Sequence, residues 1–171
     1  MGIYTYIAAD FDHDKNAVDY IYRLRDKGYL SFHDAHDIQQ SNDSSLPCSI
    51  KKSLKKRMDN SYKFVLIVGE KTNFVTKGGC QLCDSYNSHT YACARGYTID
   101  YRSYIKYECD KAVEAGLKIV VLYNSTKINR NLCPEIVRWR GTHERMIYTG
   151  QDGKQYWNKS EIIKAFGQQG L

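Results

Sequence analysis

Two apolar runs limit what this chain can become more than anything else in it. Phe64-Val65-Leu66-Ile67-Val68 and Ile119-Val120-Val121-Leu122-Tyr123 are rich in β-branched residues and contain no charged one. A strand with one face in water alternates polar and apolar residues. An unbroken apolar run needs cover on both faces, as in a parallel sheet lying between helices. Candidate helices are present. Ala17, Val18, Ile21 and Leu24 fall at helical spacing, with Asp14 placed to cap and Gly28 to stop. After Pro47, Ile50, Leu54 and Met58 recur every four residues, and Lys51, Lys52, Lys55, Lys56 and Arg57 read as a solvated face. A third helix is expected over Tyr101 to Ala115, a short one over Glu135 to Arg140, and a last one after Asn158.

Further strands are expected at residues 3–9, 29–32 and 145–148, so strands and helices alternate five times. That pattern predicts a three-layer α/β fold: a mostly parallel five-stranded sheet with helices on both faces, joined by right-handed crossovers. With 171 residues, no internal repeat and no linker, one domain is expected over 1–171, interrupted by a Cys-rich insert at about 70–100. Ligands of such folds bind beyond the carboxyl ends of the strands. Those places are Asp10 to Asp14, His33 to Leu46, Gly69 onward and Asn124 onward.

Composition narrows the partners without choosing one. The net charge of +6 favours anions such as nucleotides, nucleic acid or acidic proteins. No apolar run approaches the ~20 residues that span a bilayer, so no membrane partner is expected. The first ten residues lack a basic stretch followed by an apolar one, which leaves the cytoplasm as the expected location. There, the 6 Cys are expected as thiols or metal ligands rather than disulfides. The 15 Tyr offer stacking faces and hydroxyls, or simply amphipathic core edges.

One carboxylate sits where a charge is costly. On the third helix Ile105, Cys109, Ala112 and Val113 form the apolar stripe, while Lys106, Asp110 and Glu114 fall opposite. At about 100° per residue, Glu108 lies roughly 60° from Ile105 and about 40° from Ala112. Such a carboxylate either pairs with Arg102 or Lys111, or snorkels out, or sits in a ligand crevice with a raised pKa.

These residues carry a resemblance. Tyr104-x-x-x-Glu108, followed by Gly116 and Ile119-Val120-Val121-Leu122, is similar to the third helix and fourth strand of TIR domains, a flavodoxin-like fold. The stretch Tyr104-Ile105-Lys106-Tyr107-Glu108 especially resembles the TIR component of the Thoeris anti-phage defence system. The likeness covers residues 3–70 and 101–125. It departs from the family at Ala8-Ala9-Asp10-Phe11, where TIR proteins often have Ser-Tyr, and in the long stretch before the Glu helix.

The resemblance implies an NAD⁺-consuming enzyme that cleaves the nicotinamide–ribose bond. Family membership implies the product, a cyclic ADP-ribose-type signal that activates an effector protein. Glu108 is then the catalytic residue, Asp10, Phe11, Asp34 and Tyr104 bind substrate, and the loop from His33 covers the site or joins a homo-oligomer. The alternatives are a non-catalytic TIR-like interaction module and a nucleoside deoxyribosyltransferase-like enzyme, which also sets one Glu beside a ribose. Nucleic-acid binding through the basic helix is the weakest of the readings. A phosphorelay receiver would share Asp10, Asp12 and Asp14, but its acceptor Asp should end the third strand, where this chain has Val68-Gly69-Glu70.

The insert has its own signature. Cys80-x2-Cys83-x5-His89-x3-Cys93 matches the ligand types and near-neighbour spacing of a structural Zn²⁺ site. Unligated thiols in a loop ordered by its tyrosines fit the same residues, as does a disulfide. His33-Asp34-Ala35-His36-Asp37 contains metal-ligating residue types, but a solvated polar loop explains it as well.

Overall fold

The computed structural model describes residues 4–37 and 46–167. Five parallel strands form the main sheet: β1 (Tyr4–Ala8), β2 (His33–Asp34), β3 (Ser61–Val68), β6 (Lys118–Tyr123) and β7 (Thr142–Arg145), in the spatial order β2-β1-β3-β6-β7. The order reverses between β1 and β3, which creates a crevice at the carboxyl ends of the strands. Four helices pack on the sheet: α1 (Lys15–Asp26), α2 (Pro47–Asp59), α3 (Tyr104–Glu114) and α4 (Lys159–Ala165). The chain is therefore a three-layer α/β fold.

The apolar runs explain the layers. Successive side chains of a strand point to opposite faces. Phe64, Leu66, Val68, Ile119, Val121 and Tyr123 meet Leu54 and Met58 of α2 and Ile105, Cys109 and Ala112 of α3. Val65, Ile67, Val120 and Leu122 meet Val18 and Ile21 of α1 and Ile162 of α4 on the other face. Each central strand thus feeds two cores.

Several boundaries move from their sequence expectation. The strand expected at 29–32 forms at His33–Asp34 instead, because Leu30 turns into the core between α1 and α4. The edge strand expected at 145–148 is Thr142–Arg145; the chain then forms a separate antiparallel hairpin, β8 (Ile147–Thr149) with β9 (Gln155–Trp157). Residues 135–137 make only one 3₁₀ turn. The third helix starts at Tyr104, where the Ser103 hydroxyl accepts a hydrogen bond from the Lys106 N–H. Ser103 outcompetes Tyr101 because it satisfies an otherwise unpaired amide of the first turn.

The solvated face expected on α2 is only partly so. Lys51 and Arg57 are buried. The Lys51 ammonium donates to the carbonyls of Arg102 (2.8 Å) and Asp100 (3.3 Å), tying α2 to the approach to α3. The insert holds a 3₁₀ turn (Cys80–Leu82) and a short hairpin, β4 (Tyr86–Asn87) with β5 (Ala92–Cys93). Among the described residues, no helix is long and apolar enough to cross a membrane.

Candidate active site

Glu108 is buried, and its burial has a specific local cause. The α3 stripe must face the β1–β3 side of the sheet, and Glu108 sits at the stripe's margin, over Tyr6 of β1. The Tyr6 hydroxyl donates to Glu108 Oε1 at 2.5 Å. The cations that sequence spacing offered are engaged elsewhere: Arg102 with Asp100 and Asp110, Lys111 with Glu114. Among the described residues, Glu108 forms no ion pair. Burial pushes its carboxyl up to about 7, against the opposing pull of the Tyr6 hydrogen bond and of the more distant His36 and Arg57. Burial and the neighbouring Glu108 charge also push the Tyr6 hydroxyl up, so Tyr6 stays a donor.

Glu108 lines a cavity of about 210 Å³ at the carboxyl ends of β1, β2 and β3. Tyr104 and Ile105 of α3, Ile50 and Leu54 of α2, and Val75 give it apolar walls. Residues 9–13 and His36 close it from the strand ends, and Lys77 stands at its edge. Gly78 fixes the Tyr104 wall. It adopts φ +97°, and a Cβ there would lie 2.5 Å from the Tyr104 ring, so only glycine permits both the turn and the contact.

Polar groups converge on the mouth. Asp10 Oδ2 meets His13 Nδ1 at 2.6 Å, and Asp10 Oδ1 accepts from the Asp12 N–H at 3.2 Å. Asp34 lies one shell behind the cavity. Its Oδ1 meets His36 Nδ1 at 2.9 Å, and its Oδ2 accepts from the Tyr22 hydroxyl at 2.5 Å. Burial alone would raise the Asp34 carboxyl, but the bonds from His36 and Tyr22 outweigh it and hold it at about 2. His36 is thereby a positioned imidazole, packed on Tyr6 (5.2 Å between ring centroids) and edge-on to Phe11 (6.4 Å). Lys77 pairs with Asp12 across 3.6 Å of exposed surface.

The structure brings Glu108, Tyr104, Asp10 and Phe11 together around one cavity, and it connects Asp34 to that cavity through His36. Sequence reasoning gave no site role to Tyr6, His13, His36 or Lys77. Tyr6 and Glu108 are 102 positions apart, so only the β1–α3 packing makes them neighbours. For His36, the His33-Asp34-Ala35-His36-Asp37 run does carry a signal, metal-ligating residue types in a polar loop.

The cysteine set is arranged differently from its spacing. Cys80, Cys83 and Cys93 line one small gap together with Cys48 of α2, whereas His89 is exposed on the hairpin turn. Among the described residues, no three His, Cys, Asp or Glu side chains are already arranged to hold a metal ion. Residues 38–45 of the expected polar loop 33–46 lie outside the described residues.

The chain matches no protein-family model and no curated protein.

Proposed function

We propose that this chain is a TIR-like enzyme that consumes NAD⁺ by breaking the bond between nicotinamide and ribose. The observation carrying the reading is Glu108: a buried carboxylate that forms no ion pair among the described residues, on the wall of a largely apolar cavity at the switch point of an α/β sheet. A structural carboxylate is normally paired when buried. A carboxylate kept unpaired beside a cavity is suited to stabilise positive charge that arises there.

The chemistry needs little else. When the C1′–N bond breaks, its electron pair leaves with nicotinamide, which departs neutral and needs no general acid. The ribose becomes oxocarbenium-like, and the ionised Glu108 carboxylate faces that charge. A nucleophile then attacks C1′ and gives up its proton, which Glu108 or His36, both lining the cavity, can accept. If the nucleophile is water, ADP-ribose results. If it belongs to the ADP-ribose itself, a ring closes and yields a cyclic signal for an effector protein. Phe11 and Tyr104 supply ring-stacking surfaces. The cavity is smaller than the ~300–1,000 Å³ of most ligand pockets, so it suits one ring and its sugar. The phosphates would then lie outside, near Lys77 and the two histidines. A cytoplasmic role in anti-phage defence, Thoeris-like, is the setting we infer from the Tyr104–Glu108 resemblance.

The test is substrate choice. Purified protein and extracts of phage-infected cells expressing it are supplied with NAD⁺ or with deoxynucleosides, and free nicotinamide or free base is measured. Nicotinamide release from NAD⁺ is expected. Base exchange on nucleosides alone would favour the deoxyribosyltransferase-like reading, and silence in both samples would favour an interaction module.

A further inference from the structure

The insert carries a second site, independent of the NAD⁺ reading. Its residues have little apolar content to bury, and Tyr91 and Tyr97 are exposed. Something other than a core must hold such a segment. Four of the chain's thiols border one gap there, set further apart than the ligands of a bound ion. Cys80 opens the 3₁₀ turn and Cys83 follows it, Cys93 ends β5 opposite Tyr86, and Cys48 lies in the first turn of α2, 32 positions before Cys80 in the sequence. All four line the same gap of about 20 Å³, room for roughly one water-sized or ion-sized occupant.

Backbone donors already reach two of the sulfurs. The Asp100 N–H donates to Cys80 Sγ at 3.2 Å, and the Arg95 N–H donates to Cys93 Sγ at 3.4 Å. Cys48 stands in the first turn of a 13-residue helix, which fixes its direction toward the gap's lining.

We propose that Cys48, Cys80, Cys83 and Cys93 form a structural zinc site that staples the insert to α2. The ligand set differs from the one local spacing suggests, because exposed His89 lies off the gap and Cys48 lies on it. On binding, each thiol releases its proton to solvent and the four sulfurs close to about 2.3 Å from the ion. The consequence reaches the neighbouring cavity. Gly78, two residues before Cys80, packs on the Tyr104 ring, so the staple also steadies the wall that faces Glu108.

Protein expressed with zinc in the medium and purified without chelator should carry about one zinc per chain. X-ray absorption at the zinc edge of the wild-type protein should fit four sulfurs near ~2.3 Å, which needs no variant to fold. Cys48→Ser should lose most of the zinc, and His89→Ala should keep it. Absence of zinc, a disulfide among these cysteines in its place, or a fit requiring a nitrogen at ~2.0–2.1 Å with loss of zinc in His89→Ala would each overturn the proposal.

Discussion

The Glu108 cavity and the cysteine hairpin are neighbours held in place by opposite means. The cavity borrows its geometry from the sheet. Tyr6 lies on a strand buried from Thr5 to Ala8, and Glu108 lies on a helix whose stripe is fixed in the core that α2 and α3 share. A carboxylate held by one hydroxyl, and by no ion pair among the described residues, survives there because the packing around it is strong enough to offset its desolvation. The hairpin has two-residue strands and exposed tyrosines, so polar contacts and sulfur must do what packing does next door. The comparison teaches that packing within the sheet-and-helix layers can hold a buried charge in place, whereas a segment with little to bury needs a tie of another kind, such as the proposed zinc staple.

Four variants break or sharpen this contrast. The largest change in stability is expected at Glu108. Its folded pKa of about 7 lies above the ~4.3 of an unfolded Glu. The folded state therefore binds the proton more tightly, and stability falls as pH rises from about 4 through about 7. Glu108→Gln removes that penalty. Denaturant unfolding should find the variant more stable at pH 8 by up to ~3 kcal/mol, with the gap closing toward pH 5. A gap that does not vary with pH would mean that Glu108 is not buried as a charge.

Tyr6→Phe is expected next. It leaves Glu108 Oε1 buried without its donor, costing about 1.5–3 kcal/mol at pH 8, where the carboxylate is ionised. The carboxyl should titrate higher still, moving any acidic limb of the activity profile upward in pH. The matching change in the insert is Tyr101→Phe, which removes an exposed hydroxyl contact with Tyr86 (3.1 Å). Its effect on thermal melting should stay within about 0.5 kcal/mol. Lys77→Ala removes an exposed pair with Asp12 and should change stability by no more than about 1 kcal/mol. If phosphates lie at the cavity mouth, KM for NAD⁺ should rise while kcat holds. An unchanged KM would move the phosphates elsewhere.

The same contrast explains what could be read in the chain. Phe64–Val68 and Ile119–Tyr123 made the parallel sheet legible, because their patterning answers to a single question, whether both faces are covered. Glu108 was legible as an anomaly on the α3 stripe. Its partner was not, because Tyr6 alternates within a strand like any core tyrosine. The role of Asp34 as the holder of His36 needed the β2 turn, and β2 itself slid past its expected place when Leu30 entered the core. Cys48 escaped notice for a simpler reason: ligand spacing is local, and the hairpin meets α2 only in three dimensions.

The central claim is that the ionised Glu108 carboxylate does chemistry at the cavity. Its most direct test compares nicotinamide released from NAD⁺ by the parental protein and by Glu108→Gln, at equal protein level, in extracts of phage-infected cells. Loss of ~3–4 kcal/mol of charge stabilisation predicts a fall of roughly 10²–10³ in rate, from a protein that is folded and at least as stable as its parent. A Glu108→Gln protein that releases nicotinamide at the parental rate would contradict the assignment.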